Sequence, residues 1–337
     1  MAINREILHL LRPKQWFKSL YVLLGAAPAL FLMSPSEPPY NILLCIILGV
    51  ANLVMVQGMS YIINDVADRS LDRMHPSKKR RPLASGSVSD FEAGVVFLAL
   101  LMASTMISLY LDVRILAINV VILMLNASYS LRPLRFRDAF LVDILSIGWT
   151  APLRVLVGWI IFEPYNRAPL KLVADVWSSE MDSDTIQWLL FHSPSKIVSL
   201  NVSMSTTTLA AAGMILSTYF LAVFLLASKR LAELLDYGGR AGAYRPALSN
   251  YTPRSLKFVI AASSLFLVMS AVVLSLSIKP VLLALLPPSC LMLWWYYSLV
   301  FKPDTPVKEP ERIFLSEGKF TASGFLLVAL GLLLLVI

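Results

Sequence analysis

The sequence is poor in charged residues and in cysteine, and both shortages narrow the class of protein. Only 15% of the 337 residues are charged and 57% are hydrophobic, whereas soluble domains carry about one quarter charged residues. With a mean hydropathy of +0.71, the composition excludes a water-soluble globular chain. The two cysteines, Cys45 and Cys290, lie in separate apolar runs with no Cys-X-X-Cys or Cys/His cluster. We therefore expect both to be buried and without a chemical role.

Long apolar runs are abundant instead. About 20 apolar residues are enough to cross the hydrocarbon core of a bilayer, and nine such runs occur, without the alternation expected of outer-membrane barrel strands. We predict an all-α polytopic membrane protein, with residues 1–337 forming one transmembrane domain. The nine spans are expected at residues 17–33, 41–63, 91–111, 115–130, 139–162, 201–227, 258–277, 281–301 and 320–337.

The distribution of basic residues indicates the orientation. The amino-terminal segment and the loops after spans two, four, six and eight hold 23 Lys and Arg residues, and the loops between them hold five. Because Lys and Arg accumulate on cytoplasmic loops, we predict a cytoplasmic amino terminus and an extracytoplasmic carboxy terminus in the cell membrane. The basic cytoplasmic loops explain the net charge of +8, and the lipid bilayer is the expected partner. The basic segments lack the interleaved aromatic residues that stack nucleic-acid bases, so we predict no nucleic-acid partner.

Two long cytoplasmic loops are predicted, at residues 64–90 and 228–257. They lie four spans apart, and each begins with charged residues at a helix end. This spacing predicts two four-helix halves plus one helix around a cytoplasm-facing cavity. A third loop, at residues 163–200, is predicted to be extracytoplasmic, and we assign it no chemistry.

The stretch from residue 61 to residue 86 carries the most specific pattern, YIINDVADRSLDRMHPSKKRRPLASG. On a helix, Asn64, Asp68 and Asp72 recur every four residues and Asp65 lies one step round, so all four side chains share a face. Carboxylates this close repel and imply a counter-charge. Mg²⁺ takes oxygen ligands and typically bridges one or two carboxylates to substrate phosphates.

A basic cluster follows the acidic residues directly, at Lys78, Lys79, Arg80 and Arg81. These side chains would suit the remaining oxygens of a phosphate-bearing substrate. We therefore predict a Mg²⁺ and phosphate site at the cytoplasmic end of span two. The alternative is a solvated helix end followed by an ordinary basic loop.

Charged residues within the predicted spans are further candidates. Arg154 lies well inside span five, where a charge costs at least about 2.5 kcal/mol and usually faces a cavity or a partner. Asp143 lies eleven residues earlier, close to a whole number of helical turns, so we expect both to line one polar cavity. The alternative for Arg154 is a structural charge satisfied by backbone carbonyls. Lys229 and Arg230, at the end of span six, are either phosphate ligands or simple interfacial anchors.

Three more residues are candidate substrate contacts. Lys18, in RPKQWFKSL, and Arg132, in YSLRPLRFRD, are basic residues at cytoplasmic helix ends. Singly each would be an interfacial anchor, but together with the cluster above, Arg135 and Arg137 they could surround one anionic site. Tyr61, at the start of the acidic stretch, completes the set.

The motif NDVADRSLD has the form N-D-x-x-D-x-x-x-D, and at the end of span two it resembles the UbiA-type intramembrane prenyltransferase superfamily. The longer match, together with RPKQWFKSL, VDILSIGWTAPLRVLVG and SKRLAEL, is similar to the decaprenyl-phosphate phosphoribosyltransferase branch. The resemblance covers most of the chain apart from residues 163–200. One departure concerns the place where aromatic-acceptor members carry a second Asp-rich motif. It reads SKRLAELLD here, which favours the phosphoribosyl branch.

The resemblance implies a UbiA-like fold and a specific reaction. Phosphoribosyl diphosphate would donate 5-phosphoribose to a polyprenyl phosphate of the decaprenyl type, giving an arabinan precursor for cell wall biogenesis. Mg²⁺ would be held by Asn64 and Asp68, with Asp65 and Asp72 in support. The remaining phosphate oxygens would be held by Lys78, Lys79 and Arg81. The lipid phosphate would be steered by Arg154, Lys229 and Arg230.

Two other functions stay open on the sequence alone. A prenyltransferase would use the same acidic motif to move an isoprenoid from a prenyl diphosphate to an aromatic or glycerol-type acceptor. A transporter or lipid-binding scaffold is the non-enzymatic alternative, but transporters place charges near the bilayer midplane, whereas the acidic cluster is predicted at the cytoplasmic edge. The sequence also leaves open a homo-oligomer.

The orientation can be tested by cysteine accessibility in a background without the two native cysteines. We predict that Ser85→Cys, beside Pro82, is protected from a membrane-impermeant thiol reagent added to intact cells. Lys279→Cys, in a loop predicted to be outside, should react. Labelling of Ser85→Cys from the outside would reverse the predicted topology.

Overall fold

The computed structural model describes residues 5–33, 39–74, 78–163, 206–240, 246–302, 305–308, 313 and 316–336. Within these ranges every regular element is a helix, and nine helices are long and apolar enough to cross a membrane. The prediction of an all-α polytopic membrane protein is confirmed. The predicted loop at residues 163–200 lies outside the described residues apart from Glu163. The division into two four-helix halves stays a prediction.

The nine long helices of these ranges are numbered α1 to α9. They are α1 Pro13–Met33, α2 Pro39–Met74, α3 Asp90–Leu111, α4 Val113–Ser130, α5 Val142–Phe162, α6 Thr206–Tyr237, α7 Pro253–Ile278, α8 Pro280–Leu299 and α9 Gly318–Val336. Two are not uniform. The first turns of α1, Pro13–Leu20, form a 3₁₀ helix. The fifth is divided at Trp149 into the segments Val142–Gly148 and Thr150–Phe162.

The α2 helix is longer than predicted, because it continues without a break to Met74. The first eleven residues of the predicted loop 64–90 are therefore helical. Similarly, α6 continues to Tyr237 and α7 begins at Pro253, so that both ends of the predicted loop 228–257 are helical. The predicted ends were wrong because apolar runs mark where a helix leaves the hydrocarbon, and helical hydrogen bonding does not stop there. As a result the acidic motif lies on a regular helix.

The expectation that both cysteines are buried is wrong. Cys45 is half-buried and Cys290 is exposed. Both lie in spanning helices, where an apolar side chain can face lipid as favourably as it can face other helices. Hydropathy therefore identifies the helix but does not identify which side faces the protein.

The backbones of α1 and α5 are in direct contact. A Cβ atom added to Gly25 would lie 1.8 Å from the carbonyl oxygen of Val155, and one added to Gly158 would lie 1.9 Å from that of Val22. Small residues allow such close approach between membrane helices, where dispersion contacts replace the hydrophobic effect as the main attraction. This contact fixes the position of α5, which carries Arg154, against α1.

A buried hydrogen-bond cluster joins α2, α3 and α4. The Asn52 side-chain amide donates to Ser108 Oγ at 2.9 Å, and the Asn119 amide donates to Asn52 Oδ1 and to Ser108 Oγ, both at 2.9 Å. All three residues are buried. Polar side chains on facing helices stabilise membrane bundles in this way, by about 0.6 kcal/mol each on average. The cluster therefore fixes the position of α2 within the bundle, and the acidic motif lies further along the same helix.

Replacement of Gly158 tests the α1–α5 contact. We expect Gly158→Ala to lower the free energy of unfolding by about 1–3 kcal/mol, the usual cost of overpacking, and to lower the melting temperature of the purified protein in detergent. Gly94→Ala is the control, since a Cβ atom there meets no heavy atom within 4 Å. Equal melting temperatures for the two variants would contradict the close contact.

Candidate active site

The last three turns of α2 bury the acidic motif. The residue exposures are 2% for Asp65, 8% for Asp68 and 3% for Asp72, whereas Asn64 is half-buried. The helical spacing explains this pattern, because residues three, four and seven apart lie on one side of a helix. Three carboxylates buried this closely would repel one another and lose hydration, so the arrangement requires positive charge nearby.

Arginines from two separate segments hold Asp65 and Asp72. Arg12, just before α1, forms an ion pair with Asp65. Arg81, after α2, places Nη1 3.2 Å from Asp65 Oδ1 and 2.6 Å from Asp72 Oδ2. The guanidinium of Arg12 also lies 4.7 Å from the centre of the Tyr61 ring. The amino-terminal segment and the basic cluster therefore meet at the acidic motif.

A third arginine reaches the motif from the connection between α4 and α5. Arg137, in the short helix Phe136–Asp138, forms an ion pair with Asp68. Arg132, the residue that the sequence favoured in this connection, is exposed. Each of the three aspartates is thus paired with an arginine from outside α2.

Two carboxylate oxygens in the motif have no partner. Asp65 Oδ2 and Asp68 Oδ1 are buried and accept no hydrogen bond from any described residue. Buried acceptors without partners are costly, and a hard cation is one way to satisfy them. Within the described ranges, no three His, Cys, Asp or Glu side chains are grouped as a metal site. The residues fit a Mg²⁺ ion that completes its coordination with substrate phosphates and water.

The segment that carries Arg12 is held against α2 by Gln57. The Gln57 amide donates to the carbonyl oxygen of Gln15 at 2.9 Å and to Tyr61 Oη at 2.8 Å. Arg12 itself has a positive φ of 49°, so the chain turns sharply before α1 begins. Lys18 is half-buried on the same segment. The contacts of Gln57 and Tyr61 therefore position the cations of the amino-terminal segment.

Arg154 is buried on α5 without a carboxylate partner. Its exposure is 9%, and its Nη1 donates a hydrogen bond of 3.4 Å to Thr150 Oγ1. No carboxylate of the described residues lies within ion-pair distance of the guanidinium. Tyr21 on α1 and Tyr61 on α2 also interact electrostatically with the guanidinium. A buried, uncompensated cation inside a membrane protein is expensive, so Arg154 is a candidate contact for an anion.

Asp143 belongs to a different network. Its Oδ2 lies 2.9 Å from Arg230 Nε, and its Oδ1 accepts a hydrogen bond from Tyr251 Oη. Arg230 Nη1 also lies 3.0 Å from Glu233 Oε2. Burial and then the hydrogen bond to Asp143 raise the pKa of Tyr251, so this phenol remains a donor. The Arg230 guanidinium is therefore engaged within the protein by two carboxylates.

Asp143 and Arg154 make no direct contact in the structure, and the expectation that both line one polar cavity stays a prediction. The two residues lie on successive segments of α5, and Trp149 between these segments keeps helical dihedral angles, with φ -63° and ψ -22°. Asp143 contacts α6 and the connection before α7, while Arg154 interacts with α1 and α2.

The remaining predicted residues lie in the sequence next to the acidic motif of α2 or next to Arg230. Lys78 is half-buried and Lys79 exposed, both in the short helix Lys78–Arg80 after α2, and Lys229 is half-buried beside Arg230. Arg12 and Tyr251 were missed in the choice of site residues, and Arg137 was named only as one of several cations that could surround an anionic site. Arg12 and Arg137 lie within basic motifs that the sequence singled out, but nothing in a motif shows which of several adjacent cations turns inward.

Comparison with known proteins places these observations in context. A model of the UbiA prenyltransferase family matches residues 22–316. A decaprenyl-phosphate phosphoribosyltransferase of Corynebacterium glutamicum is 28% identical over 262 residues, which cover 77% of this chain and 64% of that protein. A 4-hydroxybenzoate octaprenyltransferase of Photobacterium profundum is 30% identical over 152 residues, which cover 43% of this chain and 52% of that protein.

The fold also matches solved structures. A UbiA homolog from Archaeoglobus fulgidus bound to GPP and Mg²⁺ superposes with a TM-score of 0.62 at 17% identity, covering 96% of this chain and 99% of that one. The same homolog bound to DMAPP and Mg²⁺ gives a TM-score of 0.63, also at 17% identity, and covers 98% of this chain and 99% of that one. At this identity the comparison establishes a shared fold.

Replacement of Arg230 distinguishes a structural role from a substrate contact. Because Arg230→Leu would leave two buried carboxylates without a counter-charge, we expect a loss of about 3–5 kcal/mol in the free energy of unfolding, measured as reduced thermal stability in detergent. Arg254→Leu, which removes an exposed cation from the first turn of α7, should change stability little. A stable Arg230→Leu protein that fails only to bind substrate would show that Arg230 acts on the ligand.

Proposed function

Because the chain belongs to the UbiA prenyltransferase family, we propose that it is a Mg²⁺-dependent integral membrane transferase acting on a phosphoribosyl donor. The enzyme transfers 5-phosphoribose from phosphoribosyl diphosphate to a polyprenyl phosphate. The main observation that supports this proposal is that arginines from three separate segments converge on the acidic end of α2. A donor with phosphates at both ends needs cations on more than one side, and this site supplies them.

The acidic residues form the metal-binding part of the proposed site. Asp65 and Asp68 supply the two oxygens that lack partners, Asn64 lies beside them, and Asp72 supports the group through Arg81. When bound, Mg²⁺ neutralises charge on the diphosphate leaving group.

The basic residues hold the donor. Arg12, Arg81 and Arg137 already lie at the carboxylates, so they can exchange a carboxylate for a phosphate oxygen without leaving the site. Lys18 and Lys79 add charge on the amino-terminal segment and on the short helix after α2. Guanidinium groups suit this role because their planar donors match two oxygens of one phosphate.

Arg154 is the proposed contact for the acceptor phosphate. It is buried without a carboxylate, and Tyr61 interacts with both Arg154 and Arg12, so the two cations share one aromatic neighbour. An acceptor phosphate held by Arg154 attacks C1 of the ribose, the bond from C1 to the diphosphate breaks, and positive charge develops at C1 as in other glycosyl transfers. The phosphate is already anionic, so the step needs no general base.

Arg230 and Asp143 have a supporting role in this scheme. Their ion pair ties the start of α5 to α6, and Tyr251 ties the connection before α7 to the same point. Lys229, one residue away and half-buried, remains the residue of this helix end that could contact an anion. The acidic end of α2 faces the cytoplasm in the proposed orientation, where a nucleotide-derived diphosphate is available.

The second candidate is transfer of a prenyl group from a prenyl diphosphate to an aromatic or glycerol-type acceptor. The similarity to a 4-hydroxybenzoate octaprenyltransferase and the shared fold with a homolog bound to GPP favour it. A prenyl diphosphate, however, has a single anionic end. It would leave Arg154, which has no carboxylate partner among the described residues, without an anion, and this is costly in a low-dielectric site.

The donor can be identified in membranes that contain the protein. We expect Mg²⁺-dependent transfer of label from phosphoribosyl diphosphate into a lipid-extractable product when a polyprenyl phosphate is present. A parallel reaction with a labelled prenyl diphosphate and 4-hydroxybenzoate should give no product. Activity in the second reaction and none in the first would overturn the proposed donor and establish the prenyltransferase instead.

Two variants separate the two parts of the site. Asp68→Asn should lower kcat by at least about 100-fold, the usual effect of removing one group that stabilises transition-state charge. Arg154→Gln should instead raise the KM for polyprenyl phosphate and leave donor binding unchanged. Asp90→Asn is the control, because Asp90 is exposed and pairs with Arg69 outside the cluster. Near-normal turnover by a well-folded Asp68→Asn protein would exclude Asp68 from the site.

A further inference from the structure

A groove on the outer surface of the helical bundle lies apart from the acidic site. It has a volume of about 360 Å³ and is formed by α6, α7 and α8, which is within the range of about 300–1,000 Å³ typical of ligand pockets. Its floor is the buried ring of Phe224 and the side chain of Ile260, and its walls include the exposed residues Cys290 and Trp294. The lining is almost entirely apolar. Because these helices span the membrane, the open side of the groove faces lipid.

The groove has the length of one leaflet. On α7 it extends from Lys257, in the second turn of the helix, to Val268 near the middle of the helix. Eleven residues of α-helix span about 16 Å, or about half of the roughly 30 Å hydrocarbon core. On α8, Tyr297 lies at the end near Lys257, and Cys290 lies deeper. One acyl chain of a phospholipid extends from the headgroup level to the bilayer centre over the same distance.

The polar end of the groove carries positive charge. Lys257 is exposed and makes no ion pair with any described residue; its ammonium lies 5.8 Å from the centre of the Phe301 ring. It also lies close to the amino terminus of α7, where the helix dipole favours an anion. A lysine at headgroup level attracts anionic lipid by about 1 kcal/mol. The apolar floor and the length of the groove suit an acyl chain, and the lysine at its end suits a negatively charged headgroup.

We propose that this groove binds one acyl chain of an anionic bilayer phospholipid, with the headgroup phosphate at Lys257. The chain fills the space between α7 and α8 over Phe224 and Ile260. This site is separate from the proposed transfer reaction and does not depend on it.

Photo-crosslinking of the full chain in vesicles tests the proposal. The probes are phosphatidylglycerol and phosphatidylcholine that carry the same photoactivatable acyl chain, at equal mole fraction in phosphatidylcholine vesicles. Peptides containing Cys290 and Trp294 should be labelled about fivefold more by phosphatidylglycerol, the factor that corresponds to about 1 kcal/mol for one lysine. Lys257→Gln should remove this preference, and added salt should weaken it.

Arg254→Gln is the matched control, because it removes a neighbouring exposed cation of α7 that does not line the groove. The preference should persist in this variant. Equal labelling by the two lipids, or equal labelling of the groove and of the exposed α9 helix, would overturn the site. If Lys257→Gln and Arg254→Gln lost the preference for phosphatidylglycerol equally, the preference would come from general surface charge, and the proposed site would be overturned. Stronger competition by a polyprenyl phosphate than by unlabelled phosphatidylglycerol would show that the occupant is not a bilayer lipid.

Discussion

The structure depends on how three carboxylates can be buried at the edge of a membrane. Asp65, Asp68 and Asp72 share one side of α2, and the apolar surroundings provide little hydration for their charge. The cost is offset by arginines that come from different parts of the chain, before α1, after α2 and before α5. The same requirement therefore brings three connections to one place. The acidic end of α2 therefore organises this end of the bundle, and in the proposed function the same residues form the ligand site.

The same arginines stabilise the fold and, in the proposed function, bind the ligand, and this has a chemical consequence. An arginine paired with a carboxylate can also bind a phosphate, because each anion offers two oxygens to the same guanidinium donors. In the proposed function, substrate binding would exchange one anion for another, and a bound Mg²⁺ would compensate the carboxylates that the arginines leave. Arg154 differs, because no carboxylate of the described residues neutralises it. The proposed site therefore has two parts. In one part the arginines are already paired with carboxylates, and in the other Arg154 has no carboxylate partner in the described part of the chain.

Much of the fold could be predicted from the sequence, because hydropathy alone defines spanning helices and nine were found among the described residues. The acidic motif was also evident, since its helical spacing does not depend on other parts of the chain. Contacts between distant segments could not be predicted. Nothing in RPKQWFKSL shows that Arg12 rather than Lys18 pairs with Asp65, and nothing in YSLRPLRFRD selects Arg137 over Arg132. The different partners of Asp143 and Arg154 could not be predicted for a related reason, because periodicity gives the face of a helix and not the side chains opposite it.

The two segments of α5 are held by several neighbours at once. The first is bound to α6 through Asp143 and Arg230, and the second lies against α1 through Gly158 and carries Arg154. Both segments also pack against α6. Because they share this neighbour, sequence changes in the two segments should be coupled rather than additive. A substitution at the Asp143 end can therefore shift Arg154 without contacting it, and the helix tolerates little independent variation along its length.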